Sequence, residues 1–225
     1  MKEQISVNLG QIAKELLPRS MAARDWVFQV LRAAIVRGVL PGGIPLRQDE
    51  ISVALNVSHI PVREAFRQLE AQGLVRIYPN RGAVVTRLTL QEMEDIMDVR
   101  AVLEVGALAA AIPLMRDVTI ETAQAILDEA HNTTDPHKLE DLNSCFHFTL
   151  YEPVQNQTLF KLIEQMHANV DRYIRAYYSE AENHAASKAQ HDELLYACKE
   201  RDIEAARNIL YEHISSTKRL LEVPQ

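Results

Sequence analysis

Apolar side chains recur at helical spacing along most of the chain, and the pattern changes once, between residues 74 and 87. From Ser20, a candidate N-cap, a first helix is predicted up to Gly38 by five apolar positions: Val27, Val30, Leu31, Ala34 and Ile35. A short apolar-periodic segment over 47–55 follows, and a third helix is predicted from the region of Pro61 to Gln72. The β-branched runs LVRIY and AVVTR flank the sequence Pro-Asn-Arg-Gly, which predicts a hairpin. This order of elements predicts a winged helix-turn-helix over residues 20–87.

The remaining segments predict an arm before this module and a helical bundle after it. Residues 1–19 are of mixed polarity and predict an arm with a short helical turn between Leu9 and Leu17. Thr89-x-x-Glu92 is a capping box that opens a long helix through Ala111. Five more helices are predicted at about 119–131, 136–152, 157–181, 185–200 and 202–221. The predicted fold is therefore mainly α, with an all-helical bundle of six helices over residues 88–222.

Composition places the chain among ordinary globular proteins, with 47% hydrophobic and 24% charged residues in 225. The uncharged apolar stretch from Val105 to Met115 is shorter than the roughly 20 residues of a membrane-spanning helix. The start MKEQISVNLG offers no apolar signal core, and the two cysteines form no CxxC pair. These features predict a cytoplasmic protein that does not enter membranes.

Charge is divided unevenly along the chain. The whole chain carries −7, but residues 1–87 carry +5 and residues 88–225 carry −12. Seven of the eight histidines also lie after Arg87. A basic module followed by an acidic one suggests that the first part faces a polyanion and that the second has another task.

The third predicted helix divides into an apolar back and a basic front. Its apolar positions are Val62, Ala65, Phe66 and Leu69, whereas Arg63 and Arg67 lie four residues apart on another face. A recognition helix in the DNA major groove needs this division, with an arginine able to bind guanine O6 and N7. An ordinary amphipathic helix with solvated arginines shows the same pattern, but the order of elements and the charge division favour DNA binding.

The string PVREAFRQLEAQGLV, preceded by GVLPGG, LRQDEISVAL and NVS and followed by PNRGAVV, resembles the GntR family of bacterial transcription regulators. The resemblance implies a dimer that binds palindromic double-stranded DNA through Arg47, Ser58, His59, Pro61, Arg63, Arg67, Arg81 and Gly82. Arg63 is at the position of a base-reading arginine, and Arg81-Gly82 match the wing tip that enters the minor groove. Two positions depart from the pattern, because His59 and Asp49 stand where relatives carry arginine.

The run MDVRAVLEVGALAAA resembles the start of the all-helical effector domain, called FCD, of the FadR-type branch of that family. The resemblance implies a metal site at Asn143, His147, His191 and His213, where relatives carry Asp and three His. Three imidazoles and one oxygen suit Zn²⁺, Ni²⁺ or Mn²⁺ with positions open to a small molecule. Asn143 is a weaker ligand than Asp. The alternative is that these are packed or surface histidines; His131, His137, His167 and His184 are predicted to be surface or supporting residues, and Cys145 a packing residue.

Candidate effector-binding residues lie on two predicted helices of the acidic half. Arg100 is at a position resembling an effector-facing arginine, since a guanidinium suits a carboxylate. The alternative is a surface ion pair between Arg100 and Glu104, four residues on. Arg172 and Arg175 form a second polar cluster that would line the same cavity.

Three hypotheses for the function follow. The leading one is a dimeric transcription regulator, a repressor, whose operator affinity is controlled by a small organic acid at the metal site. A metal-dependent hydrolase is the second, since an open metal site can activate water. Against it, the sequence contains no HExxH, no phosphate-binding loop after a strand and no nucleophile elbow, so we predict that the chain is not an enzyme. The third is a regulator whose helical half only dimerises.

Overall fold

The chain folds as two units, Met1–Leu88 and Thr89–Gln225. The computed structural model describes residues 2–16, 21–79, 82–177 and 181–221, and it describes their side chains except at 2–8, 136–137, 171–186, 217 and 219–221. Among the described residues, no helix has both the length and the apolar character that crossing a bilayer requires.

The first unit is a winged helix-turn-helix, as predicted, with an additional helix and an additional strand. Its elements are α1 (Lys2–Glu15), α2 (Ala23–Val36), β1 (Pro45–Leu46), α3 (Gln48–Leu55), α4 (His59–Ala71), β2 (Val75–Tyr78) and β3 (Gly82–Val85). The antiparallel sheet has the order β1-β3-β2, with Arg76 opposite Val84 in the hairpin and Leu46 opposite Ala83 at the other edge of β3. Residues 80 and 81, at the tip of the predicted hairpin, lie outside the described residues.

Helix α1 replaces the predicted arm. Leu9, Ile12 and Ala13 are buried at helical spacing, and the helix packs against α2 and α3. Glu15 at its end accepts a hydrogen bond from Arg37 at 2.6 Å. The prediction of a short turn was wrong, because the helix begins at Lys2, well before Leu9. The segment is of mixed polarity, and tertiary packing supplies most helix stability in proteins.

The apolar faces predicted for the first and third helices are confirmed. All five predicted positions of α2 are buried, and Val62, Ala65, Phe66 and Leu69 of α4 are buried against them. The N-cap of α2 is Ala22, and Ser20 lies outside the described residues. Helix α3 ends at Leu55, its C-cap Asn56 has a left-handed φ of 52°, and only residues 56–58 separate it from α4. This tight turn leaves the basic front of α4 exposed.

The second unit is entirely helical over its described residues. It consists of α5 (Leu90–Ala111), α6 (Asp117–His131), α7 (Pro136–Tyr151), α8 (Gln157–Tyr177), α9 (Ala181–Lys199) and α10 (Ile203–Leu221), with single 3₁₀ turns at Ile112–Leu114 and Glu152–Val154. The capping box of α5 is confirmed, because the Glu92 amide donates to the Thr89 hydroxyl at 3.2 Å and the Thr89 amide donates to the Glu92 carboxylate at 2.7 Å. The predicted helix bounds agree with these within four residues.

Helix α5 packs against α7, α8 and α10. Apolar side chains from these helices and from α9 form one core, which includes Met97, Leu108, Phe146, Leu150, Ile163, Leu194 and Leu210. Arg100 and Glu104 of α5 are buried as well. Buried charged groups need hydrogen-bond or ion-pair partners, and the partners of Arg100 and Glu104 belong to the candidate site.

Candidate DNA interface and histidine centre

The basic front of α4 forms one wall of an open groove in the first unit. Arg47, Arg63 and Arg67 line this groove, which has a volume of about 1210 Å³. Tyr78, Pro79 and Gly82 of the hairpin line it from another side. The groove therefore gathers three of the predicted DNA-contacting arginines and the start of β3.

The other predicted DNA contacts lie at the start of α4 and in the hairpin. Ser58 is the N-cap of α4, and Ser58 and His59 are exposed, whereas Pro61 is half-buried. Gly82 begins β3 with a φ of 79°. Arg81 lies outside the described residues.

The two positions that depart from the family pattern contact each other. The Nδ1 atom of His59 lies 3.6 Å from Oδ1 of Asp49, and both side chains are exposed. Asp49 also lines the groove of Arg63 and Arg67. A carboxylate in this groove opposes the binding of phosphate.

Three histidines, His147, His191 and His213, meet in the interior of the second unit. They come from α7, α9 and α10, and all three are buried. Their ligand nitrogens lie within 4.8 Å of one another, and the two Nε2 atoms of His191 and His213 are 3.3 Å apart. The ring of Phe146 contacts the rings of both His147 and His191. Residues 44 and 22 positions apart in sequence therefore share one centre.

Burial keeps these imidazoles neutral. Burial and then the charges of neighbouring histidines lower the pKa of His147 and of His191 well below the ordinary value. Burial, followed by the positive charge of Arg100, lowers the pKa of His213 to about 4. Neutral imidazole is the form that binds metal ions, so all three rings are ready to do so at neutral pH.

The hydrogen bonds of His213 fit a metal ion. Its Nδ1 atom lies 3.0 Å from Oε1 of Gln190, and an amide oxygen only accepts, so Nδ1 carries the proton. The lone pair of its Nε2 therefore faces Nε2 of His191. Two imidazole nitrogens at this separation need a shared proton or a cation between them, and nitrogen donors of this kind suit zinc and similar divalent ions.

Asn143 lies one turn before His147 on α7 and is half-buried. The spacing of four residues puts both side chains on the same side of the helix. Its role as a fourth ligand stays a prediction.

A buried polar network adjoins the histidine centre. The Arg100 Nε–H donates to Oε1 of Glu104 at 2.8 Å, and Nη2 of Arg100 lies 3.0 Å from Nε2 of His167. The Tyr151 hydroxyl donates to the other carboxylate oxygen of Glu104 at 3.0 Å and lies 3.4 Å from Nδ1 of His147. The alternative prediction, a surface ion pair between Arg100 and Glu104, is correct about the pair and wrong about its location, because the pair is buried.

The network holds one fixed negative charge. Burial alone raises the pKa of Glu104, but the charges of Arg100 and then His167 outweigh it, and the pKa lies well below the usual range. Burial, and then the Glu104 charge, raise the pKa of Tyr151 well above its ordinary value. Glu104 is therefore a carboxylate, and Tyr151 keeps its proton and donates it.

The remaining predicted residues of the second unit are either exposed or outside the described side chains. His131 is on the surface, 3.4 Å from a carboxylate oxygen of Asp192. The side chains of His137, Arg172, Arg175 and His184 lie outside the described ones. Cys145 is exposed, so its predicted packing role is wrong, whereas Cys198 is buried and burial raises its pKa to about 12.

Sequence reasoning missed Tyr151 and Gln190 as partners of the histidines. Tyr151 lies four residues after His147, and Gln190 directly precedes His191. The first spacing is a helical-face signal that was available, but nothing in the sequence pairs Gln190 with a histidine of another helix. His167 was predicted to be a surface or supporting residue; it is buried beside Arg100, so only the second description fits.

Comparisons with known proteins agree with both units. Residues 23–85 match the model of "Bacterial regulatory proteins, gntR family", and residues 95–216 match the FCD domain. The chain is 27% identical over 191 residues, 84% of each chain, to the HTH-type transcriptional repressor RspR of Escherichia coli. It is 26% identical, over 91% of this chain and 90% of the other, to a probable D-xylose utilization operon transcriptional repressor of Paenarthrobacter nicotinovorans.

Solved structures show the same fold. The structure of E. coli McbR/YncC superposes with a TM-score of 0.80 over 90% of this chain and 98% of that one, at 22% identity. The relatives and the fold are those of DNA-binding transcription regulators and not of enzymes. The chain therefore belongs to the gntR family of bacterial regulatory proteins and carries an FCD domain behind its DNA-binding module.

Proposed function

We propose that the chain is a cytoplasmic, homodimeric repressor whose operator affinity is controlled by a small carboxylate bound at a metal site in the helical unit. The observation that carries this proposal is the convergence of three buried, neutral imidazoles in a unit that matches the FCD domain. Repressor names among the relatives support the direction of regulation.

Metal binding is assigned to His147, His191 and His213, with Asn143 as a weak fourth ligand. A divalent ion held by three neutral imidazoles keeps its charge largely uncompensated and has positions open to an anionic oxygen. An amide at residue 143 adds no negative charge, so an acidic effector has more to contribute here than in a site with a carboxylate ligand. Zn²⁺, Ni²⁺ and Mn²⁺ are the candidate ions.

Elemental analysis of protein purified without chelators tests the metal site. We expect about one divalent ion per chain, either as purified or after incubation with Zn²⁺, Ni²⁺ or Mn²⁺, and a content near zero in a His191→Ala variant. A His131→Ala variant is the matched control, because that histidine is on the surface. Wild-type protein that stays metal-free after incubation contradicts the site.

The role of Arg100 in effector binding is narrower than the sequence suggests. Its guanidinium is buried and already engages Glu104 and His167. An effector carboxylate that paired with Arg100 would have to share it with Glu104, whose buried charge needs that partner. We therefore propose the metal as the principal anion-binding group, with Arg100 and Glu104 beside it and with Arg172 and Arg175 as further candidates.

DNA binding is assigned to the groove of Arg47, Arg63 and Arg67, with Ser58, His59 and Pro61 at the start of α4 and Arg81 and Gly82 in the wing. A dimer of two such modules matches a palindromic operator. Arg63→Ala is expected to cost about 1–3 kcal/mol and to relax discrimination at one base pair, whereas Arg67→Ala weakens binding to all sequences alike.

Titration of operator and random duplexes with both variants checks these two roles. Arg24→Ala is the control, since Arg24 is exposed and is not among the residues that line the groove. An equal loss on operator and random DNA for Arg63→Ala removes its base-reading role.

A further inference from the structure

Tyr151 links a proposed metal ligand to a buried carboxylate. Its hydroxyl donates to Oε2 of Glu104 at 3.0 Å, and the same oxygen lies 3.4 Å from Nδ1 of His147. A hydroxyl has one proton to donate, so once that proton is directed at Glu104, the oxygen remains to accept from the Nδ1–H of His147. The three groups then form a chain of hydrogen bonds that runs in one direction, from imidazole to carboxylate.

The carboxylate at the end of this chain is held firmly. Glu104 is fully buried, and its other oxygen accepts the Nε–H of Arg100 at 2.8 Å. Arg100 in turn contacts Nε2 of His167 on α8. Side chains of α5, α7 and α8 therefore fix the Tyr151 hydroxyl, and through it the ring of His147.

The two histidines with identified Nδ1 partners are supported in different ways. His213 donates to a neutral amide, that of Gln190, at 3.0 Å. His147 faces a hydroxyl that is itself bound to a carboxylate. A hydrogen bond that ends on a carboxylate orients a ligand imidazole, selects the tautomer with Nε2 free and raises the basicity of that nitrogen.

We infer that Tyr151 and Glu104 are positioning residues of the metal site, acting as a relay that directs Nε2 of His147 at the ion and strengthens its binding. The proposed fourth ligand, Asn143, supplies only a neutral oxygen. The relay adds a negative charge near the site, from a carboxylate that lies outside the coordination sphere. This inference rests on the metal site proposed above. It adds two residues to the site that are not metal ligands.

The test is a Zn²⁺ titration of metal-free full-length protein in competition with a chromogenic chelator. Tyr151→Phe keeps the buried ring and removes only the hydroxyl, and we expect it to weaken Zn²⁺ binding by about 10–100-fold. Glu104→Gln should weaken binding in the same direction. Because both act through one relay, the double variant should bind no more weakly than the weaker of the two single variants. Tyr196→Phe, at an exposed tyrosine of α9, should bind like wild type.

A second measurement separates positioning from general stability. Glu104→Gln leaves Arg100 buried without its carboxylate partner and can unfold the second unit. If circular dichroism shows that Glu104→Gln is unfolded, the test rests on Tyr151→Phe. In Tyr151→Phe the ligands stay in place, and the Co²⁺-loaded protein should show a shifted ligand-field absorption band relative to wild type. A purely structural role would lower the melting temperature and leave both the Zn²⁺ affinity and the Co²⁺ band unchanged.

The outcomes are distinct. If wild type binds Zn²⁺ and Tyr151→Phe binds it with equal affinity, the relay is overturned and the metal site stands. Losses that add in the double variant contradict a shared relay. Wild type that binds no Zn²⁺, Ni²⁺ or Mn²⁺ overturns the metal site and the relay with it.

Discussion

Asp49 is the one acidic side chain among the described residues that line the groove of Arg47, Arg63 and Arg67. It is exposed and lies 3.6 Å from His59. Phosphate approaching this groove meets its negative charge in a solvent-screened setting, where such pairwise effects are small.

Replacing Asp49 by Asn should strengthen binding to operator and random DNA alike, by about 1.5- to 5-fold, because the repulsion of phosphate is removed. Fluorescence anisotropy with both duplexes measures the change. Glu121→Gln on α6 is the control, since it makes the same change of net charge in the other unit. If Asp49→Asn instead loses affinity for the operator and not for random DNA, Asp49 contacts a base.

His213 provides a prediction for the metal-free protein. Its pKa is about 4 in the folded chain, whereas an unfolded histidine titrates near 6.5. Between these values the unfolded state binds more protons, so the free energy of unfolding rises with pH in this window and falls on acidification. The loss from neutral pH to pH 4 is about 3 kcal/mol for this one group.

Urea unfolding of metal-free protein at pH 7.5, 6 and 5, followed by circular dichroism, measures that dependence. His213→Asn should reduce the slope over this range without abolishing it, because the pKa values of His147 and His191 are lowered as well. His131→Asn, at an exposed histidine, should leave its slope unchanged. A wild-type stability that is constant from pH 7.5 to 5 would show that the buried ring is not held neutral.

At the scale of elements, Gly82 sets how closely β3 approaches β1. A Cβ at Gly82 would lie 2.6 Å from the backbone oxygen of Leu46, and the residue has a φ of 79°. Gly38 also has a positive φ, 73°, but a Cβ there meets no atom within 4 Å. The two glycines therefore separate backbone strain from steric conflict.

Gly82→Ala should destabilise the first unit by about 1–3 kcal/mol from backbone strain and by a further amount from the clash with Leu46. Gly38→Ala should show the strain alone. The fluorescence of Trp26, the only tryptophan and part of α2, reports urea unfolding of this unit. Equal losses for the two variants would mean that β1 moves aside without cost.

The elements with strong periodicity could be predicted from the sequence, and those made by tertiary packing could not. Helices α2 and α4 and the capping box of α5 carry their own local signals. Among the described side chains of α1, Leu9, Ile12 and Ala13 are buried in a segment of mixed polarity, and β1 has two residues, too few for an alternation to appear. Both form because the rest of the first unit offers them a surface or a strand edge.

The candidate site also has one part that could be predicted from the sequence and one part that could not. The residue types and spacings of His147, His191 and His213 suggested a shared centre, because the resemblance to the FCD domain implies metal ligands at these positions. The burial of Arg100 and Glu104 could not be predicted, since a pair four residues apart looks the same on a surface as in a core. Only the packing of α5 against α7 and α8 distinguishes the two cases.

For the whole molecule, the proposed control of DNA binding is subject to linkage. If the carboxylate changes the affinity of the metal-loaded protein for operator DNA by a given factor, operator DNA must change the affinity for the carboxylate by the same factor. A coupling free energy of about 1–3 kcal/mol corresponds to roughly 5–150-fold. We expect the carboxylate to weaken operator binding.

Both sides of this cycle can be measured with Zn²⁺-loaded protein. Operator affinity is titrated with and without a saturating small carboxylate, and carboxylate affinity is titrated with and without operator duplex. The two ratios must agree. A carboxylate that binds the helical unit with no change in operator affinity would contradict the coupling. A unit that only dimerises would bind no metal, and no ligand would change its affinity for DNA.

The capping box at Thr89 has a consequence for how such proteins diversify. Helix α5 begins with a cap made by Thr89 and Glu92, and the first unit ends at Leu88. The cap satisfies the backbone amides of Thr89 and Glu92 from within the second unit, so these hydrogen bonds do not depend on which residues precede Thr89. A gene fusion or recombination event at this codon can exchange the DNA-binding module and keep the cap of helix α5 intact. Residue 89 is therefore the junction at which we would build chimaeric regulators that respond to one signal and bind another operator.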